Sequence, residues 1–251
     1  MKKLVLFMAV AAMVACKDNK ETAETEVEKE VETEVVEGKE AQAEAEWEIL
    51  FDGTNYDQWR GYGAQEVYDN WTIEDGAMAF TPGEEGGKNI ISKNTYTNFV
   101  LSLEWKISEA GNSGIFWAVV EDEKFKEAYE TGPEIQVLDN TGHPDAKIGE
   151  GTHSAAALYD MIAPPEDNTK PVGEWNLCVL EVNHKTNLGK VTFNGKELYT
   201  FPVHGEEWDA MVADSKFATW EGFGKSQTGH IGLQDHSDKV WYRNIKIKSL
   251  D

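Results

Sequence analysis

Cysteine and basic residues are scarce in this chain of 251 residues, and each shortage excludes something. Of the two cysteines, Cys16 and Cys178, only Cys178 lies beyond the N-terminal leader described below, so we expect no disulfide within the folded part. Acidic residues outnumber basic ones by 46 to 23, which gives a formal net charge of −23. This charge argues against nucleic acid or an anionic membrane surface as a partner of the folded part.

Several signatures of other enzyme classes are also missing. No glycine-rich phosphate loop follows a predicted strand, because GNSG (111–114) and GFGK (222–225) lack that context, so nucleotide binding is not supported. No G-x-S-x-G nucleophile elbow is present. Helical periodicity is nearly absent, which favours a protein made of strands.

The N-terminal stretch MKKLVLFMAVAAMVAC has two lysines, then an apolar run over residues 4–15, then Cys16. A run of this length is too short to span a bilayer and is typical of a secretory signal. The stretch resembles a bacterial lipoprotein signal, in which Cys16 would become the lipidated first residue. An ordinary signal peptide that happens to contain a cysteine is the alternative. The resemblance implies a lipid-anchored protein in the cell envelope of a Gram-negative bacterium, on its periplasmic or outer-surface face.

The rest of the chain divides by composition. Residues 17–46 contain 12 acidic and 4 basic residues and no aromatic residue, so we predict a disordered acidic tether there. All nine tryptophans lie in residues 47–251, which we predict to be one carbohydrate-active domain. The predicted domains are therefore a signal segment (1–16), a tether (17–46) and a folded domain (47–251).

The predicted domain consists of short strands. In FVLSLEWKIS (99–108), apolar and polar residues alternate, as in a strand with one buried face. Asp75-Gly76 and Asn194-Gly195 are typical turn pairs between strands. Residues 121–130 and 205–220 predict one or two short helices. We therefore predict an all-β, concanavalin A-like jelly-roll sandwich of two antiparallel sheets.

Polar side chains suited to specific hydrogen bonds occur inside the predicted strands. Glu134 and Gln136 point to the same side of EIQVL (134–138), because a strand alternates its faces. Other strands or strand entrances carry Asn112, Ser113, Trp117, Gln234 and His236. Amide and carboxylate groups can bind sugar hydroxyls, and indole rings can pack on sugar C–H faces. The alternatives are a carbohydrate cleft and an ordinary solvated face.

The strand at Glu134 resembles the active-site strand of jelly-roll β-glucanases of the laminarinase and lichenase group. Their pattern is Glu-x-Asp-x-x-Glu, and the corresponding positions here are Glu134, Gln136 and Asp139. Retaining hydrolysis needs two carboxyl groups about 5–5.5 Å apart with separated pKa values, and Gln136 carries no charge with which to tune them. The resemblance implies the fold of that group, whereas its retaining chemistry is disfavoured.

A second resemblance covers most of residues 47–251. The chain resembles the 3-keto-disaccharide hydrolase domain family in five stretches: LFDGTNYDQWRGY (50–62), GNSGIFW (111–117), EIQVLDNTGHPDAKI (134–148), LYDMIAPPEDNTKPVGEWN (158–176) and TGHIGLQDHSDKVWYRNIKIKSL (228–250). Two positions depart from the family pattern. Residues 154–156 read Ser-Ala-Ala where an Arg-Ala-Gly-like run is expected, and Ser237 replaces an expected glycine.

The family resemblance implies an enzyme that acts on glucosides oxidised to a ketone at C3. The ketone acidifies the C2 hydrogen, so a base can remove it, the group at C1 leaves, and water addition completes a formal hydrolysis. Glu134 is the leading candidate for general acid or base, and His236 is the second, as base or metal ligand. The residues expected to bind substrate are Asn112, Ser113, Trp117, Gln136, Asp139, His153, Tyr159, Gln234 and Arg243.

The metal content is left open by the sequence. His143 and His153 flank a glycine-rich loop and could join Asp139 in a metal site, but their spacing matches no zinc motif. A divalent metal such as Ca²⁺ is a second option in an acidic sandwich.

Three hypotheses for the whole protein follow. The first is an exported, lipid-anchored enzyme that cleaves 3-keto-glucosides. The second is a non-catalytic, lectin-like carbohydrate-binding module, which would keep some binding after loss of the Glu134 carboxylate. The third is a structural lipoprotein, which would expose Gln234 and His236 separately from Glu134.

Overall fold

The computed structural model describes residues 46–84 and 86–251, so the predicted leader with Cys16 and nearly all of the predicted tether lie outside the described residues. The strands are β1 (Glu48–Phe51), β2 (Trp59–Gly61), β3 (Trp71–Glu74), β4 (Ala77–Phe80), β5 (Ile90–Tyr96), β6 (Phe99–Ile107), β7 (Asn112–Val119), β8 (Glu134–Leu138), β9 (Asn176–Asn183), β10 (Leu188–Phe193), β11 (Lys196–Phe201), β12 (Gly229–Leu233) and β13 (Val240–Ser249). In the same part of the chain, the helices are α1 (Glu206–Ala213) and the 3₁₀ turns Ala128–Glu130, Pro144–Lys147 and Gly149–Gly151.

These strands form two antiparallel sheets, which confirms the predicted all-β sandwich. The larger sheet has the order β11-β10-β9-β6-β13-β4-β3, and β1 also pairs with β13. The smaller sheet has the order β2-β5-β12-β7-β8. Neighbours in space are mostly distant in sequence, so the site described below is assembled from non-local pairings.

The core lies between the two sheets and is rich in aromatic residues. In β6, the alternating residues from Phe99 to Ile107 are buried, as the sequence pattern predicts. Within the larger sheet, Trp105 of β6 packs against Phe193 of β10 with ring centroids 5.9 Å apart, and across the core Trp117 of β7 packs against Phe201 of β11 at the same separation. Cys178 is a buried free cysteine, and burial raises the pKa of its thiol to about 12, so it acts as a small apolar side chain.

Tight turns set the strand register. Asp75 and Gly76 connect β3 to β4 with φ values of 50° and 75°, and Asn194 and Gly195 connect β10 to β11 with 48° and 84°. Left-handed conformations at both central residues suit a two-residue hairpin, because that turn twists in the same sense as the strands.

Of the two helical predictions, 205–220 contains α1, whereas 121–130 forms only the 3₁₀ turn Ala128–Glu130. Pro133 follows closely and disfavours helical conformation in the residue before it, so the chain enters β8 directly. No helix in the described part of the chain combines the length and apolarity needed to cross a membrane.

The smaller sheet is covered on the side that faces away from the core. Every residue of β7 and β8 is buried, although only one face of each strand meets the larger sheet. Residues 154–162 run along the edge of β8, where the Gln136 amide donates to Ala157 O and the Tyr159 amide to Glu134 O, both at 3.0 Å. Residues 205–224 supply further cover, since the Gly224 amide donates to Thr131 O at 2.9 Å. The candidate site lies between this cover and the sheet.

Candidate functional site

The floor of the site is a patch of the smaller sheet centred on Gly114. Gln136 is directly opposite Gly114 in the β7–β8 register, and the Gln234 amide donates to Gly114 O from the other side at 3.0 Å. A Cβ at residue 114 would overlap Oε1 of Glu134, so the Glu134 carboxyl occupies the space that a side chain would fill. The absence of a side chain at Gly114 thus lets a carboxyl lie flat on the sheet between two glutamines.

This floor opens into a cavity of about 270 Å³. Its lining combines a polar floor with aromatic walls: Asn112, Tyr129, Gly132, Glu134, Gln136, Tyr159, Lys216, Phe217, Trp220, Phe223, Gln234 and His236. Concave sites with mainly apolar walls and a few convergent polar groups are typical of small-molecule sites. The volume suits about one sugar ring.

Three buried amide oxygens in this lining have no hydrogen-bond partner among the described residues. They are Oδ1 of Asn112, Oε1 of Gln136 and Oε1 of Gln234. A buried polar atom without a partner costs about 1–3 kcal/mol, so native proteins rarely leave several close together. A ligand with several hydroxyl donors in this cavity would offer partners to these amide groups when their side chains turn toward it.

Glu134 is the buried acid of the site. Only 6% of its surface is exposed, and its carboxyl has no hydrogen-bond partner among the residues that the structure describes. Burial raises the pKa of Glu134 to about 8, and the charge of Lys216 acts in the opposite direction. At neutral pH the carboxyl is therefore mainly protonated, and it can donate a proton inside the cavity.

His236 lies in the turn that follows β12, next to the cavity mouth. Its Nε2 is 3.4 Å from Asn112 Nδ2, and its Nδ1 is 4.0 Å from an Asp238 carboxylate oxygen. The His143 ring lies edge-on to it, with centroids 6.4 Å apart. His236 and Ser237 have φ values of 35° and 61°, so Ser237 occupies a left-handed position that favours the glycine expected from the family pattern.

Six of the residues predicted to act in the site line this one cavity. Asn112, Glu134, Gln136, Gln234 and His236 come from β7, β8 and the end of β12. Tyr159 joins them through its loop, and burial raises the pKa of its phenol, so it remains a hydroxyl group. The structure therefore places Glu134 and His236 on the same side of one sheet.

Ser113 and Trp117 point to the opposite face of β7, contrary to the expectation that they bind substrate. The Ser113 hydroxyl is 2.7 Å from the Tyr242 hydroxyl, and Trp117 packs on Phe201 inside the core. Adjacent strand residues face opposite sides, so Asn112 and Ser113 cannot share one face.

Asp139, His153 and Arg243 do not line the cavity either. Asp139 accepts hydrogen bonds from the amides of Ala110 at 2.8 Å and Thr141 at 3.0 Å, so it holds a loop. Arg243 lies on the outer face of the larger sheet, where its guanidinium pairs with Glu104 at 2.6 Å. Its position corrects the prediction that it contacts substrate, because the core separates the outer face of the larger sheet from the cavity on the outer side of the smaller sheet.

His153 has an indirect relation to the cavity. Its Nε2 lies 2.7 Å from Asp160 Oδ1, and its ring packs on Tyr159 with centroids 4.4 Å apart. His143 accepts a hydrogen bond from the Asp145 amide at 3.2 Å. The described residues contain no group of three or more His, Cys, Asp or Glu side chains placed to hold a metal ion, so His143, His153 and Asp139 do not assemble the metal site considered above.

The sequence analysis missed the aromatic wall and the lysine that accompanies it. Phe217, Trp220 and Phe223 follow α1, and Lys216 precedes them in the same stretch. Tyr129 completes the wall, with its ring centroid 5.9 Å from that of Trp220. The available signal was the aromatic density of KFATWEGF (216–223), which has no strand or helix period to connect it with a site.

Comparisons with known proteins identify relatives of this chain. A family model described as a 3-keto-alpha-glucoside-1,2-lyase-like domain matches residues 46–248. A 3-keto-disaccharide hydrolase from Bacteroides thetaiotaomicron is 38% identical over 228 residues, covering 80% of this chain and 78% of that protein.

Two crystal structures from Parabacteroides distasonis ATCC 8503, each of a protein proposed to be a glycosyl hydrolase, share the architecture. One has a TM-score of 0.75 and 30% identity, covering 82% of this chain and 94% of the other. The second has a TM-score of 0.63 and 24% identity, covering 82% of this chain and all of the other, and shows the common fold.

Proposed function

The chain belongs to the family of 3-keto-alpha-glucoside-1,2-lyase-like domains, and we propose that it cleaves glucosides and disaccharides whose glucose unit carries a ketone at C3. The observation that carries this proposal is the buried carboxyl of Glu134 among three unsatisfied amide oxygens, in a cavity of sugar size. A neutral acid and several acceptors suit a substrate that has many hydroxyl groups and a leaving oxygen.

The proposed reaction begins at C2, whose hydrogen is acidified by the neighbouring ketone. A base removes this proton, and the electron pair moves onto the C3 oxygen as an enolate. The electron pair then returns from the C3 oxygen to the ring and restores the ketone. A double bond forms between C1 and C2 as the C1–O bond breaks, and the leaving oxygen takes a proton. Addition of water across the double bond completes a formal hydrolysis.

We assign the proton donor for the leaving oxygen to Glu134, because its raised pKa keeps it protonated at neutral pH. His236 is assigned as the base at C2, since it is the only imidazole among the described cavity-lining residues and its Nε2 lies 3.4 Å from Asn112 Nδ2 on the polar floor. Asn112, Gln136 and Gln234 would accept hydrogen bonds from sugar hydroxyls.

The same lining disfavours the double-displacement chemistry of jelly-roll glucanases. Retention through a covalent intermediate requires two carboxyl groups about 5–5.5 Å apart. Glu134 supplies the only carboxyl among the cavity-lining residues in the described part of the chain. Gln136 occupies the middle position of the glucanase pattern, and Asp139 is engaged by loop amides. An elimination needs no carboxylate nucleophile, so it fits this lining better.

Export and lipid anchoring at Cys16 stay predictions, as does a divalent metal such as Ca²⁺. Labelling of cells with a radioactive fatty acid, compared between the natural chain and Cys16→Ala, would test the anchor. Elemental analysis of the purified protein, with turnover measured before and after chelation, would test the metal.

The decisive experiment for the activity compares a chromogenic glucoside with its C3-oxidised form. We expect release of the chromophore from the keto form alone, and loss of release in Glu134→Gln without loss of the fold. If neither form reacts but keto-sugar binding persists in both proteins, the site is that of a carbohydrate-binding module and the proposed activity is wrong.

A further inference from the structure

Lys216 is the only lysine or arginine among the cavity-lining residues in the part of the chain that the structure describes. Much of the residue is exposed, yet its ammonium end lies 4.1 Å from the ring centroid of Tyr159 and 5.1 Å from that of Phe217. Aromatic faces stabilise a cation without using up its N–H donors as a carboxylate would. The ammonium therefore enters the cavity with N–H donors that remain available to a ligand.

This ammonium forms no ion pair with a carboxylate among the described residues, although Glu134, Asp160 and Asp145 are near enough to influence it electrostatically. Burial lowers the pKa of Lys216, and these three carboxyls act in the opposite direction. Glu134 is mainly neutral near pH 7 because burial raises its pKa to about 8. A positive charge without a direct ion-pair partner among the described residues thus sits near a mainly neutral acid, which is the arrangement that a developing anion would complete.

The position of Lys216 relative to Glu134 is fixed by two adjacent residues of one loop. The Tyr159 amide donates to Glu134 O at 3.0 Å, which ties the loop to β8. Asp160 then accepts a hydrogen bond from the Lys216 amide at 2.7 Å through Oδ2, while its Oδ1 lies 2.7 Å from His153 Nε2. His153 and Asp160 are therefore positioning residues that hold the lysine-bearing stretch against the strand that carries the acid.

We propose that Lys216 is a catalytic residue whose ammonium binds the C3 oxygen of the keto-sugar and stabilises the enolate. This inference rests on the proposed function. When the C2–H bond breaks, the proton goes to the base and the carbonyl electrons move onto the C3 oxygen, which faces the ammonium. When the C1–O bond breaks, that charge returns to the ring and the leaving oxygen takes a proton from Glu134. Lys216 stays covalently unchanged throughout.

The experiment compares the natural protein with Lys216→Met, which keeps the unbranched apolar stem on Tyr159 and removes only the charge. Lys225→Met is the matched control, because Lys225 is exposed in the same segment and does not line the cavity. Two steps are followed on a 3-keto-glucoside: exchange of the C2 hydrogen in D₂O by NMR, and release of the leaving group. Thermal unfolding of all variants monitors the fold.

We expect Lys216→Met to slow both C2 exchange and release by about 10²–10³-fold, the usual loss for one oxyanion donor. Lys225→Met should match the natural protein. Alkylation of Lys216→Cys with 2-bromoethylamine restores an ammonium at nearly the original length and should restore both rates, relative to natural protein treated identically. Loss of both rates in Lys216→Met, which keeps the stem, together with this rescue assigns the effect to the charge; a lysine with only a packing role would show no loss in Lys216→Met.

Three results would overturn the inference while leaving the proposed function intact. The first is turnover by Lys216→Met at the same rate as the natural protein. The second is loss of leaving-group release with C2 exchange unchanged, which would assign the ammonium to the leaving oxygen. The third is a borohydride-trapped covalent adduct at Lys216, which would replace the charge role by an iminium. Absence of turnover in the natural protein on every 3-keto-glucoside would instead contradict the proposed function itself.

Discussion

Replacement of Glu134 by glutamine should change the pH dependence of stability in a predictable way. The pKa of Glu134 is raised from 4.5 to about 8 by burial. Because the folded-state pKa lies above the unfolded one, the folded protein binds the extra proton between these values, and the free energy of unfolding falls as pH rises. A pKa difference of about 3.5, at 1.36 kcal/mol for each pKa unit, corresponds to about 5 kcal/mol.

The natural protein therefore keeps this contribution in full below about pH 4.5 and has lost it above about pH 8. Glu134→Gln has the same shape and no charge, so it should gain stability relative to the natural protein by about 1.4 kcal/mol for each pH unit across this window. Urea unfolding at several pH values between about 5 and about 9 measures the difference directly, because the titrations common to both proteins cancel.

Glu104→Gln provides a control of opposite sign. Burial acts to raise the pKa of Glu104, but hydrogen bonds from Asn244 and Arg243 lower it below its ordinary value. This carboxylate therefore stabilises the fold above its unfolded pKa, and its removal should cost stability at neutral pH. A stability difference between Glu134→Gln and the natural protein that stays constant from about pH 5 to about pH 9 would refute the assignment of Glu134 as a buried neutral acid.

Three further substitutions test the geometry. Gly114→Ala should displace the Glu134 carboxyl, lowering kcat at least about tenfold and costing about 1–3 kcal/mol of stability in urea unfolding; unchanged kcat would show that the carboxyl can move freely. His236→Ala should lower kcat by roughly 10²–10⁴-fold in steady-state assays while changing stability by less than about 0.5 kcal/mol, since the side chain is 45% exposed; full activity would exclude it as the base. Trp117→Ala should cost about 3–5 kcal/mol in unfolding experiments because its ring is in the core, whereas Trp220→Ala should mainly raise KM, and the reverse result would contradict the placement of the two rings.

Period-two alternation explains why the sequence predicts so much of this fold. Strand residues two apart share a face whatever the tertiary structure, so the side chains of Glu134 and Gln136 necessarily point to the same side of β8. Left-handed turn pairs such as Asn194-Gly195 fix hairpins locally, and their position follows from the sequence alone. The family motifs added an expected activity to this all-β framework.

Alternation leaves one thing open, namely which face of a strand meets the core. In β7 both faces carry apolar and polar residues, so alternation separates Asn112 from Ser113 without indicating which of the two meets the core. The structure places Ser113 against Tyr242 in the core and Asn112 at the cavity. Only the pairing of β7 with β8 and β12 decided this, because it determined which face the larger sheet covers.

The sequence by itself determined the strands, their turns and the common face of the polar side chains in β8. Only the tertiary structure places Lys216 and the aromatic wall at the cavity, since Asp160 binds the Lys216 amide across a sequence separation of 56 residues. It also set Arg243 on the other sheet, where Glu104 is its partner. The physical reason is that local sequence fixes backbone geometry, whereas the raised pKa of Glu134 and the free charge of Lys216 arise from groups that only folding brings together.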